Sequence, residues 1–307
     1  MKLIESNATF LPQLEGMDGV YKQIEICGRT CYKSEDKITE DSAKAFVDRM
    51  IASKHYAMLE HGTIYLKREV DYGNSHYNTF VTFYETNPYS KVTYDGGYCY
   101  ITTNLRVIVE NQLLEDLEWM CSFEDGHHLQ RYTFKVVTSI GVTRELNRHR
   151  ANSIGEQSTR YCNYSSSKFD NQVSFCKPAW LNLNTGIYEY KILDNSYDIY
   201  IVGDGYIKNT TDAEDYNIFL RSCLIVEGLY MSFINNGWKP QQAREILPLC
   251  TATEAVYTAF ADDWKHFFDL RLYESTGKVH PNMAELTEKI AIAAEEAGIL
   301  GDIINNK

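Results

Sequence analysis

The sequence predicts an α/β chain of the α+β type, and three observations carry that reading. The run RYTFKVVT at 131–138 alternates Tyr132, Phe134 and Val136 with Thr133, Lys135 and Val137, the period of two of a half-buried strand. Apolar residues recur at helical spacing over 17–32, 212–235 and 253–272, as expected of helices laid against a sheet. At 307 residues, with 44% hydrophobic and 23% charged content, the chain can bury a sizeable core. No internal repeat or low-complexity linker divides it, so residues 1–307 read as one domain.

In the first helix, 17–32, Val20, Ile24 and Cys27 lie about a turn apart, and the turn-prone KSED follows. A second helix is expected over 40–53, with Ala45, Phe46 and Ile51 on its apolar side. HYAMLEHG then reads as a loop entering a strand at 63–67. His55, Glu60 and His61 crowd that junction, but a metalloprotease helix needs two histidines one turn apart around a glutamate. From 70 to 130 the chain is rich in Tyr, Asn and acidic residues. DYGNSHYNTF and DGG mark turns, and YCYITTN reads as a strand before a short helix in LRVIVENQLLEDLEWM. His127 and His128 read as surface residues in a polar loop.

After the 131–138 strand, Gly141 reads as a break and Thr143 as the cap of a helix starting in VTRELNRHR. The stretch 165–211 is polar, with NTG and GDG turns. The helix at 212–235 stops at Asn235-Asn236-Gly237, and the next begins at Pro240 and ends before Pro248. A helix over 253–272 puts Phe260, Trp264, Phe267 and Arg271 on one stripe. The last helix, 281–297, is acidic and amphipathic.

A formal net charge of -12 and a pI near 5.2 argue against wrapping nucleic acid, whose affinity comes from neutralising phosphates with Lys and Arg. No uninterrupted apolar run reaches the ~18 residues of a bilayer span, and MKLIESNATF lacks a signal-peptide core. A cytoplasmic location is expected, with no membrane partner. Cys27, Cys31, Cys99, Cys121, Cys162, Cys176, Cys223 and Cys250 are scattered, without C-x-x-C or zinc spacing, so reduced, mostly buried thiols and no metal site are expected.

Against this acidic background, RELNRHRANSIGEQSTRYCNY (144–164) gathers Arg144, Arg148, His149, Arg150 and Arg160 among Ser153, Glu156, Gln157, Ser158 and Thr159. Guanidinium forks and hydroxyl donors in one segment suit a small phosphate-bearing ligand. An isolated R-x-R would read as a solvated helical face. The whole segment is more specific.

RHR-x2-S-x2-E-x-S-x-R-Y resembles the signature of the flavin-dependent thymidylate synthases, which methylate dUMP to dTMP using methylenetetrahydrofolate, FAD and NADPH. QAREILP (242–248) and WKHFFDLR (264–271) resemble further motifs of that family, GRTCY (28–32) and HYAMLEH (55–61) weaker ones. The resemblance implies the family's fold, an antiparallel-rich central sheet flanked by helices, with insertions near 70–130 and 165–211. It implies flavin contacts from Cys31, His55, Arg148, His149, Arg150, Glu156 and His266. Nucleotide contacts are implied from Glu145, Arg148, Ser158, Thr159, Arg160, Arg244 and Arg271, with Arg244 reaching across a subunit boundary and Arg271 as the catalytic group. Glu145 and Gly155 stand where many members have Gln and Asn, Phe260 where many have Asn, and Ala57 where some have a hydroxyl residue.

The P-C-Q of the classical thymidylate synthases is absent, so no protein nucleophile is implied. Arg271 would instead stabilise negative charge developing on the uracil ring. No G-x-G-x-x-G precedes a helix, so NADPH is not expected in a Rossmann crevice. Family members form homotetramers with shared active sites, which is the expectation here. The rival readings are a flavoenzyme acting on another pyrimidine nucleotide and a nucleotide-binding protein without catalysis.

Overall fold

The structure, a computed structural model, describes residues 1–192 and 198–305. At its centre is a four-stranded, wholly antiparallel sheet in the order Asn7–Phe10, Arg131–Ser139, Ala252–Phe260, Ser153–Glu156. The alternation legible at 131–138 sorts its two faces. Tyr132, Phe134 and Val136 join Ala255, Tyr257 and Ala259 in a core closed by the helices Ile140–Leu146, Ala261–Arg271 and Pro281–Glu296. Trp264 locks helix to strand by donating from Nε1 to the buried Tyr132 carbonyl at 3.0 Å. On the opposite face Thr133 and Thr258 share a 2.8 Å hydrogen bond. That face is covered by the helix Gly16–Tyr32 and the 3-10 turn Tyr56–His61.

A second core joins the Gly16–Tyr32 and Ser42–Ala52 helices to a three-stranded antiparallel sheet ordered Thr63–Glu69, Tyr98–Asn104, Lys91–Asp95. A third packs the helix Asp215–Asn235 on Lys2–Ile4, which pairs parallel with Ser174–Cys176, and on the ribbon Glu189–Ile192, Ile199–Gly203, Tyr206–Asn209. That helix is apolar and long enough, by length and composition alone, to cross a bilayer. Here Leu220, Cys223, Leu224 and Tyr230 are buried, and Glu227 accepts from the Val173 amide at 2.8 Å.

Several expectations are corrected. The helix expected over 253–272 is a strand, Ala252–Phe260, followed by the helix Ala261–Arg271. Thr253, Val256, Tyr257, Thr258 and Phe260 favour a strand, and hydrogen bonding to strands on both sides fixes it, so the helical stripe starts only at Ala261. Phe260 therefore faces away from the stripe carrying Trp264 and Phe267. Gly141 lies inside its helix, and the cap is Ser139, whose Oγ accepts from the Val142 amide. The helix Ser75–Thr86 forms where DYGNSHYNTF suggested only turns; Asn74 caps it by accepting from His76 and Tyr77. His128 is buried, its Nε2 3.1 Å from the Leu66 carbonyl, and half-buried His127 stacks on Tyr100. The polar stretch 165–211 supplies strands to the third core. All eight cysteines are free thiols, six of them buried.

Candidate functional site

The 144–164 segment is held from both ends. Thr143, inside the helix Ile140–Leu146, donates from Oγ1 to Glu156 Oε1 at 2.8 Å, and Tyr257 Oη donates to Asn147 Oδ1 at 2.9 Å. Between these clamps, Arg148-His149-Arg150 forms the connection from the helix to the strand Ser153–Glu156. Arg148 and Arg150 are exposed, and neither makes an ion pair among the described residues.

His149 turns inward instead. Its ring sits edge-on to Phe267 at 5.1 Å, and its Nε2 accepts from Arg271 Nε at 3.3 Å. Arg271 Nη1 also lies 3.7 Å from Glu145 Oε2. Burial, then the charge of Arg271 and nearby His266, hold His149 down at about 4, so the imidazole is neutral at physiological pH and can accept from the guanidinium. His266 itself is exposed on the same helix as Arg271.

A second group forms around the turn after the strand. Ser158 donates its amide to the Cys31 carbonyl at 2.8 Å, and its own carbonyl accepts from Tyr161 and Cys162. Arg244, on the 3-10 turn Arg244–Ile246, donates from Nη1 to Thr159 Oγ1 at 3.1 Å within the same chain. Arg160 is exposed beside the Tyr161 ring. No hydrogen bond or ion pair joins the Arg244 group to the Arg271 group among the described residues.

The third group lies on the opposite sheet face. Cys31 is buried against Met58, Sγ to Sδ 3.7 Å, and burial pushes its thiol up to about 12. A Cβ on Gly155 would stand 3.1 Å from Cys31 Sγ and 3.3 Å from His61 Nε2. This close approach gives a reason for glycine at 155. His61 is fully buried, its Nδ1 2.8 Å from Thr258 Oγ1 and its Nε2 without a partner; burial and Arg131 hold it down at about 3. His55, by contrast, is exposed, and Glu60 is ion-paired with Arg106.

The structure sets Arg271 beside His149 and Glu145, and Arg244 beside Thr159 of the same chain; sequence reasoning named these residues but not these contacts. It missed Phe267 as the support of His149, Thr143 as the partner of Glu156, and His61. The last had a signal: a glycine in a strand marks a close approach, here by that imidazole.

The chain belongs to the family described as thymidylate synthase complementing protein (Thy1), whose model matches residues 127–294. That stretch contains the arginine-rich segment, Arg244 and Arg271, and leaves out Cys31 and His55. A probable flavin-dependent thymidylate synthase of Paramecium bursaria Chlorella virus 1 is 26% identical over 160 residues, 52% of this chain. The match covers 65% of that relative, just under two thirds of its length. Among solved structures, the UMP/dUMP methylase PolB of Streptomyces cacaoi bound with 5-Br dUMP aligns with a TM-score of 0.44 and 16% identity, covering 99% of this chain and 97% of that one. The same protein bound with 5-Br UMP aligns at 0.42 and 14%, covering 99% and 96%.

Proposed function

We propose that this chain methylates dUMP to dTMP, with methylenetetrahydrofolate as carbon donor, FAD as flavin and NADPH as reductant. The observation that carries the reading is electrostatic. Arg144, Arg148, Arg150 and Arg160 are exposed without a carboxylate partner in a chain of net charge -12, while most other cations here are ion-paired. Clustered guanidinium groups left without internal counter-charge are suited to an external anion.

In this reading Arg148, Ser158, Thr159, Arg160 and Arg244 hold the nucleotide. Arg271, steadied by neutral His149, stabilises negative charge on the pyrimidine ring. The chain's own residues fit an anionic flavin dinucleotide at the RHR turn, since Arg148 and Arg150 are free of internal pairs. They do not fit at Phe260, whose buried ring is flanked by Lys91 and Arg131 and offers no hydrogen bond. Bound FAD supplies the hydride chemistry, with His149, His266, Glu156, His55 and Cys31 as its further contacts. The reading takes the chain as one unit in a cytoplasmic homotetramer with shared sites, which would bring the Arg244 and Arg271 groups of different copies to one nucleotide.

Glu145 favours a second reading, another pyrimidine nucleotide as substrate. A carboxylate only accepts hydrogen bonds where a carboxamide also donates, which changes the base edge it suits. The test is dTMP formation from dUMP, methylenetetrahydrofolate and NADPH by a purified protein with a flavin spectrum. A flavin-free protein, or one that turns over no pyrimidine nucleotide, sinks both readings.

A further inference from the structure

After the turn Tyr56–His61 the chain builds the sheet of the second core and returns at Arg131, the first residue of a central strand. The Arg131 guanidinium closes that excursion. Its Nη1 donates to the Glu60 carbonyl at 3.1 Å and to Thr63 Oγ1 at 3.3 Å, spanning 71 and 68 positions of chain. Its Nη2 donates to Ser153 Oγ at 3.1 Å, in the strand that follows the RHR turn. One side chain thus ties together the turn Tyr56–His61, the start of the second core's sheet and the strand Ser153–Glu156.

Two features set this guanidinium apart. All three of its partners are neutral oxygens, and its buried Nε has no partner. The Glu60 side chain is ion-paired with Arg106 instead. Burial pulls Arg131 down to about 10, so it is still a cation at neutral pH. Its charge adds to burial in holding His61, at the end of the same turn, down at about 3. A buried charge without a counter-charge is costly, and an apolar side chain would avoid that cost.

The second feature is where the Ser153 bond falls. Arg148-His149-Arg150 lies between Asn147, which accepts from Tyr257 Oη at 2.9 Å, and Ser153, which accepts from Arg131. Tyr257 and Arg131 therefore grip the two ends of the RHR turn from neighbouring strands of the central sheet. Phe260 packs against the second grip, its ring centroid 5.5 Å from Arg131 Cζ.

We propose that Arg131 is a positioning residue for the RHR turn: by holding Ser153 against Glu60 and Thr63 it fixes the direction in which Arg148 and Arg150 present their charge. The proposal rests on the reading of that turn as the flavin and nucleotide platform. Arg131 acts through the turn and touches no ligand itself. Binding groups work only when held close to the productive geometry, so a slack support weakens them without removing them. The planar fork explains the choice of arginine, since one guanidinium can donate in several directions at once where an ammonium on a flexible stem is less pre-organised.

The test is a double-mutant cycle on the whole chain with two readouts, hydrogen exchange of the turn and Kd for FAD. The amides of Arg148, His149 and Asn152 are protected by the carbonyls of Glu145, Leu146 and His149. Arg131→Met and Ser153→Ala are each expected to speed their exchange, and to raise Kd for FAD, by roughly tenfold, the worth of one charge-assisted hydrogen bond. The double variant should be no worse than Arg131→Met, because both changes remove one shared interaction. Gln13→Met is the control. Gln13 clasps the Thr63 backbone through bonds of 2.8 and 2.7 Å and has no bond to Ser153, so its loss should lower Tm and leave both readouts unchanged. If Arg131→Met does not fold, Ser153→Ala alone still decides. A wild-type chain that binds no flavin sinks the flavin reading and leaves the exchange rates to judge the positioning role. Unchanged exchange at 148–152, effects of the two variants that simply add, or faster exchange with an unaltered Kd for FAD would each overturn the proposal.

Discussion

Arg271 donates from Nε to His149 Nε2 at 3.3 Å, so the last residue of one helix is aimed by an imidazole from the RHR turn. A guanidinium held this way keeps Nη2 available to a ligand, while Nη1 lies 3.7 Å from Glu145 Oε2. Arg271→Lys retains charge but loses the fork. We expect it to lower kcat for dUMP by about 10²–10³, the usual loss of a charge-stabilising donor, while flavin absorbance is retained. Unchanged turnover in steady-state assays would remove Arg271 from the chemistry.

Glu145 meets Arg271 at 3.7 Å, with both side chains partly exposed. Such a pair contributes about 0–1 kcal/mol to stability, so Glu145→Gln should leave the melting temperature nearly unchanged. On the proposed assignment of Glu145 to the nucleotide, removing its carboxylate should lower KM for dUMP. A large loss of Tm with unaltered KM would make Glu145 structural instead.

Gly155→Ala places a methyl group 3.1 Å from Cys31 Sγ and 3.3 Å from His61 Nε2. Overpacking of this kind costs about 1–3 kcal/mol, read as a lower urea midpoint at constant slope. Pairing the change with Cys31→Ala should recover part of the loss. A neutral Gly155→Ala would show that the contact is slack.

Stability should fall as pH drops below about 6.5. His149 and His61 are held down at about 4 and about 3. From about 6.5 downward the unfolded chain takes up protons that the folded chain refuses, until pH passes the folded values. Glu254 acts in the same sense: burial opposes it, but Lys135 and Lys33 hold its carboxyl below the ordinary range, so its stabilisation is lost on acidification. Urea midpoints at pH 7.5, 6 and 5 should decline in that order. His149→Gln should flatten part of the slope.

The strand Arg131–Ser139 was legible because its alternation is a property of adjacent residues. The arginine-rich segment was legible because its spacing matches a motif. The strand Ala252–Phe260 was not: Ala-Thr-Glu-Ala runs are locally ambiguous, and strand identity came from hydrogen bonding to residues over a hundred positions away. His128 was missed for a related reason, since the Leu66 carbonyl that satisfies it lies 62 residues upstream.

By itself the sequence determined which chemical groups are available: the guanidinium cluster, the hydroxyls, and a thiol set without metal spacing. It also determined the local periods that build the helices Gly16–Tyr32, Asp215–Asn235 and Pro281–Glu296. Only the tertiary structure decided which of those groups meet. It set Arg271 against His149 and Glu145, Arg244 against Thr159, and Cys31 with His61 behind Gly155 on the far side of the sheet. The reason is physical: propensity and charge are carried residue by residue, but pairing, burial and the resulting shifts in proton affinity exist only between segments that folding brings together.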